Sequence, residues 1–216
     1  MSYFRVRYRT IEFGDLDIHV KTLKDCQQFY DGEGLAEKLG ISSATWPLFG
    51  VVWDSSQVLA HFMLEHDIEG KRILEVGCGI ALTSLVLNHR HADITATDHH
   101  PEVESFLKQN VKLNNGQKIP FTRTDWTNKN SDLGEFDLII GSDLLYEQNH
   151  AELLSSFIDQ HTKPKCEVIM VDPGRGYHAR FSKLMVSLGY THSQHQPHDT
   201  EYLSKPFKGQ ILTYNR

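Results

Sequence analysis

The first twenty residues alternate between apolar and polar side chains, the pattern of a half-buried β-strand. Two such runs flank the dipeptide Gly14-Asp15, which is typical of a turn. Their apolar positions are Phe4, Val6 and Tyr8 in the first run and Leu16, Ile18 and Val20 in the second. The pattern predicts an N-terminal β-hairpin. Over residues 25–50 it predicts loop and short helix, because glycines and a proline interrupt every longer run.

From residue 51 onward, short apolar runs alternate with segments whose apolar residues recur at helical spacing. Strands are predicted at 72–76, 94–97, near 121, at 136–140 and at 168–171. Helices are predicted from Asp54 or Ser55, over 81–88, from Pro101, after Asn149 with Glu152 as its capping partner, and over 178–188. The last two runs, 190–194 and 210–214, are predicted to pair antiparallel at the sheet edge. This order predicts an α/β fold with a mostly parallel sheet covered by helices on both faces.

Length and composition fit one globular domain. The 216 residues are 39% hydrophobic and 23% charged, which is typical of a chain that folds around a single core. We therefore expect residues 1–50 to form the hairpin and a lead-in within the same domain, and residues 51–216 to form its main α/β part.

Charge and cysteine usage narrow the class of protein. The net charge of −6 supplies no basic surface for a phosphate backbone, so we expect no nucleic-acid partner. No apolar stretch approaches the ~20 residues of a membrane span, and the N-terminus lacks a secretory h-region. The three cysteines, Cys26, Cys78 and Cys166, form no CxxC pair, which disfavours disulfides and zinc. We predict a cytoplasmic monomer that binds no membrane.

Histidine is abundant, with thirteen residues in the chain. His192, His195 and His198 recur every third residue, but Pro197 prevents a regular helix from bringing them together. We therefore predict no metal site, and we expect His99 and His100 to be surface residues.

A glycine-rich turn follows the strand predicted at 72–76. Its sequence is Glu75-Val76-Gly77-Cys78-Gly79, and Asp98 lies 21 positions after Gly77, at the end of the next strand. Glycines let the backbone approach a ligand closely, and a carboxylate at this distance can accept hydrogen bonds from both ribose hydroxyls. The spacing predicts a site for an adenosine-containing cofactor. Leu82 stands where a dinucleotide site has its third glycine, and Glu75 would repel a pyrophosphate, so NAD is disfavoured.

Three segments together resemble the seven-strand, class I S-adenosylmethionine-dependent methyltransferases, and in particular methyltransferase family 16, whose members methylate lysines of non-histone proteins. The segments are Trp46-Pro47 with 50–56, the glycine turn with Asp98, and 141–146, which matches the D-x-x-Y signature of that family. The resemblance implies a Rossmann-like, seven-stranded sheet. The run Val171-Asp172-Pro173-Gly174-Arg175 further resembles the branch that methylates the beta subunit of electron transfer flavoprotein.

The resemblance also implies roles for individual residues. Trp53 would flank S-adenosylmethionine, Gly77 and Gly79 would face its methionine part, Asp98 its ribose, and Asp125 with Trp126 its adenine. The predicted cofactor-binding set is completed by Glu75, Cys78, His99 and Ser142. Asp143 and Tyr146 would border the site of methyl transfer. The loop over residues 196–209 would lie beside the acceptor pocket, where Tyr202 and Phe207 are expected to contact the substrate.

The acceptor implied by the resemblance is a lysine of a protein substrate. Two alternatives use the same cofactor site: N-methylation of a small amine or of another protein side chain, and a non-catalytic protein that binds the cofactor within an interaction. An NAD-dependent oxidoreductase is the last candidate.

Overall fold

The computed structural model describes residues 4–127 and 132–216. It begins with the predicted hairpin, in which β1 (Val6–Phe13) pairs antiparallel with β2 (Leu16–Leu23) around Gly14. Gly14 has a φ of 64°, the left-handed conformation that a tight turn requires of a glycine. One face of the hairpin is buried against the rest of the protein through Phe13, Ile18 and Val20.

The main part of the chain alternates strands and helices as the apolar pattern predicts. A short helix α1 (Leu35–Lys38) and a 3-10 helix (Trp46–Gly50) follow the hairpin. The strands are β3 (Arg72–Val76), β4 (Asp93–Asp98), β5 (Phe121–Arg123), β6 (Phe136–Ser142), β7 (Thr162–Asp172), β8 (Thr191–His195) and β9 (Gln210–Asn215). The helices are α2 (Asp54–Glu65), α3 (Leu82–His89), α4 (Val103–Leu113), α5 (His150–His161) and α6 (His178–Ser187).

Seven of these strands form one mixed sheet in the order β5-β4-β3-β6-β7-β9-β8. The first five are parallel, whereas β9 runs antiparallel to both β7 and β8. The predicted antiparallel pair at the edge is thus confirmed, with the last strand inserted between β7 and β8. Because the parallel strands all end at one edge, the residues that follow β3, β4, β6 and β7 meet there.

The sheet is buried on both faces. Successive strand residues point to opposite sides, so Ile73 packs with α2, α3 and α4, while Leu74 packs with α5 and α6. Both residues are fully buried. The arrangement confirms the predicted α/β architecture with helices on both faces.

A buried amide fastens the hairpin to the sheet domain. The side chain of Asn110, on α4, accepts a 2.7 Å hydrogen bond from the backbone N–H of Lys21 on β2. Its Nδ2 atom donates to the carbonyl oxygens of Lys21 and Ile80, at 3.4 and 3.1 Å. One side chain therefore links the hairpin, α4 and the turn that follows β3.

Two predicted side-chain caps are not formed. Helix α2 begins at Asp54 with Trp53 in the cap position, so neither Asp54 nor Ser55 is its cap. Helix α5 follows Asn149 as expected, but no side-chain bond caps it. The backbone of Asn149 is already close to helical, with φ −92° and ψ −4°, whereas a capping side chain requires an extended residue.

Strand β7 begins six residues earlier than its apolar run. Its first residue, Thr162, pairs with Phe136, and the side chain of Lys163 binds Asp137 at 2.7 Å. Pro164 and Lys165 are exposed there. This part of the strand carries no hydrophobic signal because the buried Thr162 is polar and the side chains from Lys163 to Lys165 are partly or fully exposed.

The expectation that His100 is a surface residue is wrong. Its side chain is 5% exposed and stacks on the ring of Phe49 with the centroids 4.0 Å apart. Desolvation lowers the pKa of His100 to about 3, so the imidazole is neutral at physiological pH. The ring acts as an aromatic core residue behind the loop that follows β4.

Across residues 4–127 and 132–216, no helix combines the length and apolar character needed to cross a membrane. The same residues contain no cluster of three or more histidine, cysteine or acidic side chains arranged to hold a metal ion.

Candidate functional site

The turn after β3 has three left-handed residues within five positions. Gly77, Gly79 and Ala81 have φ values of 61°, 54° and 62°. A Cβ atom on Gly77 would lie 2.5 Å from the side chain of Leu144, and one on Gly79 would lie 3.0 Å from the carbonyl oxygen of Phe49. The left-handed backbone favours glycine at both positions, and a side chain would displace the end of Leu144 at Gly77 and crowd the backbone of Phe49 at Gly79.

Glu75 stabilises the start of helix α3. Ala81, in the cap position of that helix, has no side chain that can bind the free N–H groups. The buried carboxylate of Glu75 accepts a 2.9 Å hydrogen bond from the backbone N–H of Ser84 and another from the Ser84 hydroxyl. Desolvation raises the pKa of Glu75 to about 7 in spite of these bonds. Both contacts lie behind the turn and support it.

Asp98 lies at the end of β4 and holds the glycine turn in place. One carboxylate oxygen accepts a 2.9 Å hydrogen bond from the N–H of Gly79, and the other accepts a 2.8 Å bond from the N–H of His100. Burial raises the pKa of this carboxyl group, while the backbone donors oppose the shift. A carboxylate has about four acceptor positions, so each oxygen keeps capacity for a further donor.

Cys78 lies between the two glycines and is 7% exposed. Its backbone N–H donates a 2.9 Å hydrogen bond to the carbonyl oxygen of Thr97, which joins the turn to β4. Burial raises the pKa of the thiol well above its usual range, so Cys78 is an unreactive packing residue.

Trp53 and His99 flank this edge of the sheet. The indole N–H of Trp53 donates a 2.9 Å hydrogen bond to the carbonyl oxygen of Leu48, which fixes the half-buried ring at the start of α2. The Nε2 atom of His99 lies 3.1 Å from the carbonyl oxygen of Leu39, in the segment after α1. The lead-in before residue 51 thus contributes to the surroundings of the predicted site.

Asp125 and Trp126 follow β5 and differ in burial. The carboxylate of Asp125 is exposed and accepts hydrogen bonds from the backbone N–H and the hydroxyl of Thr127, at 2.9 and 2.6 Å. This arrangement is an Asx turn. The half-buried ring of Trp126 meets the ring of His150 edge-on at 5.0 Å. The two residues therefore form a turn and a packed aromatic at the end of β5.

Ser142, Asp143 and Tyr146 lie where β6 ends. Asp143 has a φ of 53° and its backbone N–H donates to the carbonyl oxygen of Val171 at 2.9 Å. Tyr146 is 43% exposed and its ring contacts that of His150 edge-on at 4.5 Å. Desolvation and then the nearby carboxylates raise the pKa of Tyr146 to about 12. The phenol therefore stays protonated across the physiological range.

The close contact between Gly77 and Leu144 brings the two halves of the site together. Leu144 lies between Asp143 and Tyr146, and its side chain covers the place where a Cβ of Gly77 would be. The glycine turn and the D-x-x-Y segment are thus adjacent at the carboxyl edge of the sheet, as the sequence predicts.

Arg175 was missed by the sequence analysis as a site residue. It follows β7 and forms a bidentate ion pair with Asp143, with N–O distances of 2.6 and 2.7 Å. Its position could have indicated this, because the run Asp172-Pro173-Gly174-Arg175 directly follows a strand that was predicted to end at this edge of the sheet. Which acid it would pair with could not be read from the sequence.

The loop over residues 196–209 packs against α2. The ring of Tyr202 stacks on that of His61 with the centroids 3.6 Å apart, and Leu203 is 9% exposed. Tyr202 therefore has a packing role. Its expected contact with a substrate remains a prediction.

The sheet order and the position of the glycine turn define a class I methyltransferase fold. The ribosomal protein L11 methylase of Lactobacillus delbrueckii subsp. bulgaricus superimposes with a TM-score of 0.63, covering 97% of this chain and 99% of that one. The two sequences are 17% identical, so the likeness concerns the fold.

A family model described as lysine methyltransferase matches residues 39–186. The matched stretch contains the glycine turn, Asp98 and the segment Asp143 to Tyr146. The chain therefore belongs to the lysine methyltransferase family, whose cofactor is S-adenosylmethionine.

Two curated relatives are similar over the same part of the chain. Protein N-lysine methyltransferase METTL21A of Danio rerio is 36% identical over 127 residues, which are 53% of this chain and 57% of that protein. Electron transfer flavoprotein beta subunit lysine methyltransferase of Mus musculus is 27% identical over 133 residues, 60% of this chain and 51% of that protein. The aligned region thus covers little more than half of each relative.

The residues at the edge of the sheet fit S-adenosylmethionine. The remaining acceptor positions of Asp98 suit ribose hydroxyls, and the left-handed Gly77 and Gly79 form a tight turn without side chains of their own at this edge. The aromatic face of Trp53 suits a positively charged sulfonium.

Proposed function

We propose that this protein transfers a methyl group from S-adenosylmethionine to the side-chain amine of a lysine in a protein substrate. The observation that carries the proposal is the contact of Gly77 with Leu144, which places the glycine turn beside Asp143 and Tyr146. Membership of the lysine methyltransferase family and the similarity to two protein lysine methyltransferases support the choice of acceptor.

Within this proposal, the cofactor contacts the edge formed by the ends of β3 and β4, the start of α2 and the turn after β5. The residues that would hold it are Trp53, Glu75, Gly77, Cys78, Gly79, Asp98, His99, Asp125, Trp126 and Ser142. S-adenosylmethionine supplies a methyl group bound to a positively charged sulfur, which leaves as a neutral thioether. The contribution of the protein is to position the acceptor in line with that bond and to exclude water.

Asp143 and Tyr146 would act on the acceptor amine. A lysine side chain arrives protonated because its unperturbed pKa is ~10.4, and the proton must leave before the nitrogen can attack. The carboxylate of Asp143 attracts the ammonium group. Because its pKa is raised to about 12, the phenol of Tyr146 is neutral and can serve as a hydrogen-bond partner that directs the lone pair. It is unsuited to act as a phenolate base.

A methylation screen tests the proposal. Lysate of the source organism is incubated with the protein and S-adenosylmethionine that carries a labelled methyl group, and labelled proteins are digested for mass spectrometry. We expect a protein whose labelled residue is lysine, and much less label with the Asp98→Ala protein at a cofactor concentration near the Kd of the wild-type protein. A labelled small molecule would favour the amine alternative, and label on histidine or arginine would favour another protein side chain. Cofactor binding with no label in any fraction would favour a non-catalytic binding protein.

The proposal extends to the setting of the enzyme. We infer a cytoplasmic monomer that acts on a protein substrate and binds neither nucleic acid nor membrane, with residues 1–50 as a lead-in to the methyltransferase domain at 51–216. Support comes from the acidic net charge and from three cysteines that are free, of which Cys78 and Cys166 are buried. Cell fractionation and analytical ultracentrifugation test location and monomeric state.

A further inference from the structure

The guanidinium group of Arg175 binds both oxygens of the Asp143 carboxylate. Nε lies 2.6 Å from Oδ1 and Nη2 lies 2.7 Å from Oδ2, the parallel geometry of the strongest arginine–carboxylate pairs. The side chain of Asp143 is 9% exposed, whereas that of Arg175 is 44% exposed. A nearly buried carboxylate thus meets its counter-ion from the solvent side.

The backbone on both sides of the pair favours this arrangement. Asp143 has the left-handed conformation that non-glycine residues adopt at a cost, and its N–H is bound to Val171. Arg175 stands between Gly174 and Gly176, each with a φ of 94° and with no atom near the place of a Cβ. The arginine is thus presented on a short glycine-flanked turn, while the aspartate is held by strand β7.

Negative charge predominates around this pair. Asp172, at the end of β7, is 3% exposed, and one of its carboxylate oxygens has no hydrogen-bond partner among the residues described. Asp172 from β7 and Tyr146 from the segment after β6 interact electrostatically with the pair. Asp98 from β4 and Glu147 from the segment after β6 act on Tyr146, which lies beside the pair. His178 on α6 lies 3.5 Å from Asp172 and faces that acid rather than Asp143. Within residues 4–127 and 132–216, Arg175 is the cation that contacts Asp143.

This charge distribution bears on an acceptor amine. An unpaired carboxylate next to a lysine stabilises the ammonium form, which has no lone pair and cannot accept a methyl group. A carboxylate paired with an arginine has a much weaker field, yet each oxygen keeps a lone pair for an N–H donor. The two effects of Asp143, orientation and charge, are thereby separable.

We propose that Arg175 is a positioning residue that offsets the charge of Asp143, so that the carboxylate can orient the acceptor amine without holding it as the unreactive ammonium. The inference rests on the proposed function, since it concerns the lysine acceptor. It adds a specific role for the turn after β7, to which the family resemblance assigns none.

The test compares two substitutions at Arg175. In Arg175→Met the charge is lost, so the lysine ammonium should bind more tightly and lose its proton at higher pH. We expect KM for the protein substrate to fall and the rise of kcat with pH to move upward by about one unit, which is an approximately tenfold lower kcat at pH 7. Activity should recover near pH 10. The Arg175→Lys protein keeps the positive charge but loses the paired hydrogen bonds of the guanidinium group. Its pH profile should therefore match that of wild type, while its kcat falls.

A matched control removes another exposed arginine. Arg180, on α6, pairs with Glu152, and its side chain is 56% exposed. The Arg180→Met protein should keep the wild-type profile. The S-adenosylmethionine affinities, measured by calorimetry, should agree among all four proteins. The melting temperature of Arg175→Met should fall, because the nearly buried Asp143 carboxylate loses its counter-ion, so kcat is compared at a temperature at which all four proteins are folded.

Three results would overturn the inference. If Arg175→Met raises kcat/KM with an unshifted profile, Arg175 merely competes with the substrate for Asp143. If it lowers the melting temperature and activity together, again with an unshifted profile, its role is structural. If the wild-type protein labels no lysine in the lysate screen, the proposed function fails and this inference falls with it. Failure of the inference alone is recognised by lysine methylation whose pH profile does not depend on Arg175.

Discussion

Glu75 and Ser84 are joined by two hydrogen bonds across the turn between β3 and α3, one from the backbone N–H of Ser84 and one from its hydroxyl. The strand therefore supplies the cap that Ala81 cannot provide. Because the carboxylate is 3% exposed, it forms these bonds at the cost of desolvation. The acid of the glycine motif thus has a structural role that can be measured without cofactor.

The first prediction concerns stability against pH. The pKa of Glu75 is raised from 4.5 to about 7 by burial, so the folded protein holds this proton where the unfolded chain has lost it. The contribution of Glu75 to stability is complete below pH 4.5 and is lost as pH rises to about 7. The side chain of the Glu75→Gln protein cannot ionise. The difference in free energy of unfolding between this protein and wild type should therefore shift in favour of Glu75→Gln by up to about 3 kcal/mol over this range, with no further change above it. Urea unfolding at pH 4.5, 7 and 8 measures the difference, and a difference independent of pH would contradict the shift.

The second prediction concerns the cofactor. Asp98→Ala should weaken S-adenosylmethionine binding by about 1.5 to 3 kcal/mol, because bonds to a charged acceptor are lost and Gly79 loses its partner. NAD should not bind to either protein. Calorimetry measures both, with Asp93→Ala as the control, since Asp93 is exposed at the opposite end of β4. Equal affinity in the Asp98→Ala protein would remove the ribose assignment.

The third prediction separates binding from turnover. Asp143→Asn should leave the fold and the cofactor affinity nearly unchanged and lower kcat at least about tenfold, or roughly 1.4 kcal/mol, because the carboxylate acts on the acceptor. Steady-state kinetics with the substrate from the lysate screen measure the effect. Loss of cofactor binding with normal turnover at saturation would show that Asp143 acts on the cofactor and not on the acceptor.

The fourth prediction concerns the loop over residues 196–209. Tyr202→Ser removes the ring that stacks on His61 and should lower the free energy of unfolding by about 1 to 2 kcal/mol. Tyr202→Phe, which keeps the stack, should be close to wild type. The melting temperatures of the Tyr202→Ser, Tyr202→Phe and wild-type proteins, measured by thermal unfolding, test this prediction. If Tyr202→Ser keeps the wild-type melting temperature but loses methylation of the substrate, the ring contacts the substrate instead.

The sequence predicts the fold well where burial imposes a period. Strand β3 has the predicted bounds because both its faces are covered, so that Ile73, Leu74 and Val76 form a short apolar run interrupted only by Glu75. The first residues of β7 were missed because they are polar or exposed, and Asn149 stands at the start of α5 as predicted but does not cap it with its side chain, because its backbone is already close to helical. Neither the first residues of β7 nor the capping of α5 can be predicted from the local sequence.

Prediction of the site is limited by contacts between distant segments. Gly77, Gly79 and Asp98 were identifiable because a strand–turn–helix ligand site has a fixed spacing. The partners of Asp143 and Glu75, which are Arg175 and Ser84, depend on which loops meet and which way a side chain turns. His100 was misjudged for a similar reason, since its burial is due to Phe49, about fifty residues earlier in the chain.

Asn110 has a consequence for how the protein unfolds. Its amide is fully buried and forms hydrogen bonds with both the hairpin and the turn after β3. Separation of the hairpin would therefore leave buried polar groups without partners on both sides. Neither part can open alone without this cost. The first strands and the ligand-binding loop should therefore belong to one cooperative unit, and hydrogen exchange at Lys21 should slow when S-adenosylmethionine is added, although Lys21 lies outside the predicted binding set.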